Sequence, residues 1–289
     1  MYSIVLVLRT FSYFQDEKHN NLQRFLQIGM ATFDRFMEQD EIKDFFVVVP
    51  SQEEEAVRKA LCDAYPTWPW NVLNEDALVH ASLPPGWARQ QTIKFAISML
   101  VQTETYLIVD DDTILTKPFH EKDMYADGTR QLIMNRAQID FPFFYLWSCQ
   151  ALKYDFDKVQ DFPYHMGITP QIFVTSVVRD LVKWLVLNYG GQKVWQLFLA
   201  NNKFTEYTMY WMWLIKHNLT GSHYTTSTDA NEVYGNVITT DMEKSQLAKS
   251  VKTMFAQNEK YFFSFIQSSL PFIIKDISDM VTQHLPKQE

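Results

Sequence analysis

Residues 106 to 113 read Tyr106-Leu107-Ile108-Val109-Asp110-Asp111-Asp112-Thr113, an apolar run that stops at three consecutive carboxylates. Four apolar or aromatic residues in succession predict a strand buried on both faces, as in a parallel sheet. In open α/β sheets ligands bind just beyond the carboxyl ends of such strands, so the acids stand where a ligand would be met. Three adjacent negative charges repel one another unless a cation or solvent compensates. Hard divalent ions such as Mg²⁺ or Mn²⁺ take oxygen ligands and are often shared with substrate phosphates. The motif therefore points to a metal-assisted diphosphate site, with a solvated acidic turn as the plainer alternative.

Working outward, residues 3–8 predict a first strand, and Leu22, Phe25, Leu26, Met30, Phe33 and Met37 recur at the spacing of one helix face. Residues 45–49 predict a second strand, and Ser51 with Glu54 makes a capping-box start for a helix to about Ala64. Such strand-helix alternation implies a parallel α/β sheet with right-handed crossovers. After turn-forming residues between Pro66 and Pro85, a helix is expected from Arg89 to about Val101, leading into the acidic strand. On it Gln90 and Lys94 lie one turn apart beside Arg89 and Ile93, which places polar donors on one face near the helix start. That face suits diphosphate or ribose contacts; a solvent-exposed amphipathic face is the alternative. Farther on, residues 131–135 predict a strand, and residues 170–217 read as mostly helical with a break at Gly190-Gly191. The tail from Leu247 to Leu285 reads as two helical pieces broken at Pro271, packing across the body or joining two copies into a homo-oligomer.

Composition narrows the partners. The 289-residue chain carries a net charge of −8, which argues against a basic nucleic-acid footprint. Its 15% aromatic content suits both core packing and sugar-stacking surfaces. Cys62 and Cys149 are too few for a disulfide framework. The amino-terminal Met1 to Leu8 reads as a first strand, not a signal peptide, because no basic leader or small-residue cleavage site is present. No apolar stretch approaches the roughly 20 residues that span a bilayer. A soluble, cytoplasmic protein is the expectation, and the sequon Asn218-Leu219-Thr220 is then a coincidence.

These pieces in this order resemble nucleotide-sugar-dependent glycosyltransferases of the GT-A fold, whose signature is an Asp-x-Asp motif after a central strand, here Asp110-Asp111-Asp112. Together with Gly86-Trp87-Ala88-Arg89-Gln90-Gln91-Thr92-Ile93-Lys94 and Phe204-Thr205-Glu206-Tyr207-Thr208-Met209-Tyr210, they are similar to a bacterial and large-DNA-virus subgroup that includes algal-virus (chlorovirus) glycan-building enzymes. The likeness covers roughly residues 1–225. It implies one GT-A domain, with a nucleotide-sugar-binding half at 1–115, an acceptor and catalytic half at 116–245 and a helical tail at 246–289.

The resemblance also implies roles. Asp112 would coordinate Mn²⁺ or Mg²⁺, Asp110 would contact the ribose or the metal, and Asp111 would be the variable middle position. A third metal ligand would come from a later histidine, His223 first and His165 second; either suits a structural role equally. Arg9 and Thr10, after the first strand, would meet the donor's base and ribose, and Arg89, Gln90 and Lys94 its diphosphate. The donor would be a nucleotide-diphosphate sugar, a uridine diphosphate sugar such as UDP-xylose first, and the acceptor a glycan hydroxyl. Transfer with inversion needs a carboxylate base, Glu206 or else Asp140. Aromatic residues at 143–145, Trp147, Tyr207, Tyr210, Trp211 and Trp213 would line an acceptor groove, most of them also serving the core. A haloacid-dehalogenase-like phosphatase using Asp110 and Asp112, and a non-catalytic carbohydrate- or nucleotide-binding module, are the rival readings.

Overall fold

The structure is a computed structural model, and it describes the chain except residues 11–19, 135, 138–141, 160–164, 168, 192, 201–203, 226–231, 239–242, 257–260, 267–272 and 287–289; for 137, 158, 232–238 and 261 the backbone alone is described. Its strands are β1 (Tyr2–Val7), β2 (Ile42–Val49), β3 (Trp70–Asn74), β4 (Thr105–Val109), β5 (Thr113–Leu115), β6 (Arg136–Ala137), β7 (His165–Met166), β8 (Gln171–Val174), β9 (Glu232–Ile238) and β10 (Tyr261–Ile266). Its α-helices are α1 (Asn21–Arg24), α2 (Met30–Phe36), α3 (Glu54–Ala64), α4 (Trp87–Ala96), α5 (Pro142–Leu152), α6 (Thr175–Asn188), α7 (Val194–Ala200), α8 (Glu206–Lys216), α9 (Thr220–His223), α10 (Lys244–Ala256) and α11 (Ile274–Thr282).

The anticipated α/β architecture is present: a mostly parallel central sheet of order β3-β2-β1-β4-β8, flanked by helices. Every residue of β1 and of β4 is buried, as continuous apolar strands require. From β1 the chain winds outward through β2 and β3, then crosses back over β1 to lay β4 on its other side. The winding reverses between β1 and β4, and at such a reversal a crevice opens beyond the carboxyl ends of the two strands. Leu6 pairs with Val109, so Arg9 and Asp112 leave the sheet at the same level. β8 runs antiparallel to β4, with Gln171 opposite Ile108, which brings the residues just before Gln171 back to that edge.

Four expectations change. Among the described residues, the predicted strand at 131–135 shrinks to two isolated bridges, from Leu132 to Tyr125 and to Tyr224, with β6 starting at Arg136. Ser51 and Glu54 form no capping box: a 3₁₀ turn occupies 51–53 and α3 starts at Glu54 without a side-chain cap. The first part of the 170–217 segment is β8, not helix. The tail is helix, strand, helix: β10 pairs antiparallel with β5 and parallel with β9, placing Phe265 opposite Thr113. Its Phe262 and Phe263 rings pack edge-on against Phe119, at 5.3 and 5.0 Å between centroids, and Phe119 packs on Tyr2 of β1. The tail thus packs across the body, as one of the two sequence readings had it, by becoming part of a sheet.

Candidate active site

The three acids occupy the turn between β4 and β5. Asp110 N–H donates to Thr113 Oγ1 and Thr113 N–H donates to Asp110 O, each at 3.1 Å, which closes the turn on itself. Ile266 N–H of β10 donates to Asp112 O at 3.3 Å. Within the turn the acids differ. Asp110 has a side chain 40% exposed to the crevice. Asp111 is turned inward: its Oδ2 is buried with no hydrogen-bond partner, and burial pushes the carboxyl up to about 6 against the pull of the Arg24 guanidinium.

Lys94 joins two parts of the sequence. It sits in the last turn of α4, whose chain runs back down toward the start of β4, so the helix's amino end lies on the same edge as the acids. Lys94 Nζ is 2.8 Å from Glu206 Oε1, 3.1 Å from Asp110 Oδ1 and 3.3 Å from the Tyr207 hydroxyl. Burial alone would pull the amine down, but Asp110 and Glu206 outweigh it and hold it well above the ordinary lysine value. Glu206 is buried outright; burial pushes its carboxyl up, and the ammonium pulls it back toward the charged form. With the partners at 2.8 Å, the ion pair is the state of the site. A buried pair of this kind costs desolvation and is kept for what it positions.

Glu206 is placed by its helix start. Thr205 caps α8, exchanging bonds with Thr208: Thr208 N–H donates to Thr205 Oγ1 at 3.0 Å and Thr205 N–H to Thr208 Oγ1 at 3.1 Å. Gln91 Oε1 accepts the Glu206 N–H at 3.0 Å, and a carboxylate in the first turn is favoured by the helix dipole. Tyr207 carries the arrangement on to Thr169, whose hydroxyl it hydrogen-bonds just ahead of β8. Gln91 and Lys94 share the buried face of α4, whereas Gln90 is half-buried and makes no side-chain hydrogen bond among the described residues. The spacing of three between Gln91 and Lys94 was the signal for that face.

Arg9 and Arg89 meet at a carboxylate that sequence reasoning did not single out. Glu75, just after β3, is buried, with its Oε1 2.9 Å from Arg89 Nε and 3.4 Å from Arg9 NH2. Burial raises its carboxyl and the two guanidiniums oppose the rise. Arg89 also pairs with Asp76 at 2.8 Å and donates to Leu83 O at 2.6 Å, so its fork is occupied within the protein. Arg9 has a side chain 26% exposed at the carboxyl edge of β1. Thr10 N–H donates to Glu53 Oε2 at 2.7 Å, on the same edge.

Neither histidine joins the acids. His223 lies in α9, where Leu132 N–H donates to its carbonyl, and Glu104 is the acid that acts on its ring. Glu104 precedes β4, so His223 stands at the opposite end of that strand from Asp110–Asp112. His165 is buried in β7 against the Tyr145 ring, and burial lowers its imidazole to about 4. Asp140 lies outside the described residues. Among the described residues no group of three or more His, Cys, Asp or Glu side chains is gathered as a metal-ligand set. The carboxylate oxygens at the turn still fit a hard divalent ion, which takes few protein ligands and completes its shell with water and phosphate oxygens. Buried Asp111 Oδ2, lacking a hydrogen-bond partner, is consistent with such a cation.

Of the aromatic residues expected at an acceptor groove, Tyr145, Tyr207, Tyr210, Trp211 and Trp213 are core. Phe143 and Trp147 are exposed, one turn apart on α5, and Trp87 at the start of α4 is the third exposed aromatic side chain among the described residues. Phe144 links them, 4.2 Å from the Phe143 ring and 5.8 Å from that of Trp87.

The chain belongs to a family of unknown function, DUF6492, whose model matches residues 2–289. No curated protein matches it by sequence. Among solved structures it is similar to the apo form of mouse xyloside xylosyltransferase 1, with 11% identity over 91% of this chain and 96% of that one at a TM-score of 0.49. It is also similar to the apo structure of the bifunctional glycosyltransferase WbbM, with 13% identity over 91% of this chain and 45% of that one at a TM-score of 0.46.

Proposed function

We propose that this member of the DUF6492 family is a metal-dependent glycosyltransferase that takes its sugar from a nucleotide-diphosphate donor and passes it to a glycan hydroxyl. One observation carries the reading: the Asp110–Asp112 turn stands at the reversal of the sheet, with Asp110 open to the crevice and gripped from below by buried Lys94. A diphosphate entering there meets carboxylates, so a cation must stand between them. Mg²⁺ or Mn²⁺ bound by Asp110 and Asp112 would supply Lewis-acid stabilisation of the charge that develops on the departing diphosphate. Arg9, at the same edge, offers the remaining donors of its guanidinium to the donor's diphosphate or ribose. A uridine diphosphate sugar is the first donor to test, UDP-xylose among them.

Glu206 takes a positioning role in this proposal. A carboxylate without surface, paired at 2.8 Å with Lys94, acts on the crevice through that lysine and Asp110. Arg89 likewise holds Glu75 and the Leu83 loop. Asp140 is then the remaining carboxylate of the sequence reading for the acceptor's proton. On the acceptor side, the rings of Trp87, Phe143 and Trp147 offer a stacking face for sugar C–H groups beside the crevice.

Donor hydrolysis in the presence of Mn²⁺ tests the reading. Asp112→Ala and Lys94→Met should each lower turnover by about 100-fold, the scale of losing one preorganised electrostatic contact. Full turnover by Asp112→Ala would overturn the metal assignment.

A further inference from the structure

Glu75 belongs to no sequence motif, yet it stands level with the acidic turn. Val7 pairs with Val48 and Val48 with Leu73, so Arg9, two residues past Val7, and Glu75, two past Leu73, leave the sheet together at its carboxyl edge. The turn that carries Glu75 is held from several sides. Glu75 O accepts the N–H groups of Leu78 and Val79 at 2.9 and 3.0 Å, and Asn74 Oδ1 accepts the Asp76 N–H at 2.8 Å. Helix α7 straps the residues that follow: Gln196 Oε1 accepts the His80 N–H at 2.6 Å and Gln196 Nε2 donates to Leu78 O at 3.0 Å. Lys193, just before α7, donates to Asp76 O and Val79 O at 3.1 and 3.0 Å. The carboxylate itself is braced by Arg89, whose Nε is 2.9 Å from Oε1 and whose other nitrogens are engaged by Asp76 and Leu83 O.

Arg9 is held at one point only. Its NH2 lies 3.4 Å from Glu75 Oε1, which is the one hydrogen bond or ion pair of its side chain among the described residues, and the side chain is 26% exposed. A guanidinium offers several N–H donors in a rigid fork, so one fixed contact orients the rest. An arginine that a ligand must immobilise costs affinity, and an anchor in place beforehand removes part of that cost. We infer that Glu75 is a positioning residue that sets Arg9 toward the diphosphate or ribose of the nucleotide donor before the donor arrives. Arg89, with its fork used within the protein, is the brace of Glu75 and not a second contact to the donor. The inference rests on the donor reading above for the ligand; the hold of Glu75 on Arg9 stands apart from it.

Calorimetric titration of UDP, GDP, ADP and CDP in turn, each with Mn²⁺, into the parent, Arg9→Met, Glu75→Gln and the double variant tests the role. Arg9→Met and Glu75→Gln should each weaken binding of the nucleotide that the parent takes by about tenfold, the scale of one charge-assisted hydrogen bond. Added to Arg9→Met, Glu75→Gln should weaken it by no more than about twofold further, because its effect passes through Arg9. A glutamate that only supports the fold would weaken binding equally with and without Arg9, and that result would overturn the inference. Full affinity in Glu75→Gln would do the same. Should Glu75→Gln not fold, the nucleotide-free parent decides by nuclear magnetic resonance. The Arg9 Nε–H signal, assigned by its loss in Arg9→Met, should show restricted motion in nitrogen relaxation, and a freely reorienting side chain would overturn the hold. A parent that binds none of the nucleotides sinks the donor reading and this inference with it, whereas a binding parent with an indifferent Glu75 sinks this inference alone.

Discussion

Lys94 balances two carboxylates from distant parts of the chain, and its role separates two accounts of Glu206. If Glu206 positions Lys94, Glu206→Gln should weaken donor and Mn²⁺ binding together with turnover, because Asp110 loses its fixed partner. A base would lower turnover alone and flatten the acid limb of the pH profile. Calorimetric binding of donor and Mn²⁺ to the variant decides. The sequence marked Lys94, Asp110 and Glu206 as chemistry-bearing residues because their types and spacing are visible in one dimension. Their convergence was not visible, since it depends on α4 and α8 meeting through Gln91. Arg24 was illegible for another reason: it sits on the buried face one turn before Ile28, where an apolar stripe is the ordinary expectation. His165 gives a second prediction. Burial holds its imidazole at about 4 against the usual 6.5, so between those pH values the unfolded chain takes up a proton that the folded chain refuses. Its contribution is intact above pH 6.5 and is lost as the pH falls toward 4, by at most about 3 kcal/mol. Denaturant unfolding at pH 7 and pH 5 should show a smaller drop for His165→Phe than for the parent, and equal drops would refute the assignment.

At the scale of elements, tertiary neighbours decide what local pattern leaves open. Phe262-Phe263-Ser264-Phe265-Ile266 is compatible with a helix by apolar content, yet it is β10, because it pairs with β5 on one side and β9 on the other. Short apolar runs carry this ambiguity, and β8 was missed for the same reason. The periodic run from Leu22 to Met37, which forms α1, a π-helical turn at Phe25–Gly29 and α2, together with α4 and the continuous apolar strands β1, β2 and β4, was legible because nothing competes with its pattern. The join between the π-helical turn and β5 is also tight enough to test. Replacing a helical glycine by alanine ordinarily stabilises by about 0.5–1 kcal/mol. At Gly29 the new methyl would meet the Phe25 ring at 3.0 Å and the Thr113 carbonyl at 3.2 Å, and a backbone carbonyl cannot swing aside. Gly29→Ala should therefore destabilise by about 1–3 kcal/mol, the scale of overpacking, as read by chemical denaturation.

Across the whole molecule, the order of strands and helices was enough to anticipate a parallel sheet and a ligand site at the carboxyl end of β4. The closure of the acidic turn by the tail was not, because Thr113 and Phe265 are joined only in space. That closure predicts that a chain ending at residue 243 loses the Phe262 and Phe263 rings that pack on Phe119 and the strand that pairs with β5, and should fail to give a cooperative thermal transition by circular dichroism. A cooperative melt near that of the full chain would show the tail to be dispensable. The proposed activity is tested most directly by calorimetric binding of a panel of nucleotide sugars, each with Mn²⁺ and again with a chelator. The account predicts that one donor binds with Mn²⁺ and that chelation abolishes the heat, whereas no binding by any donor in either condition, or binding indifferent to the metal, would contradict it.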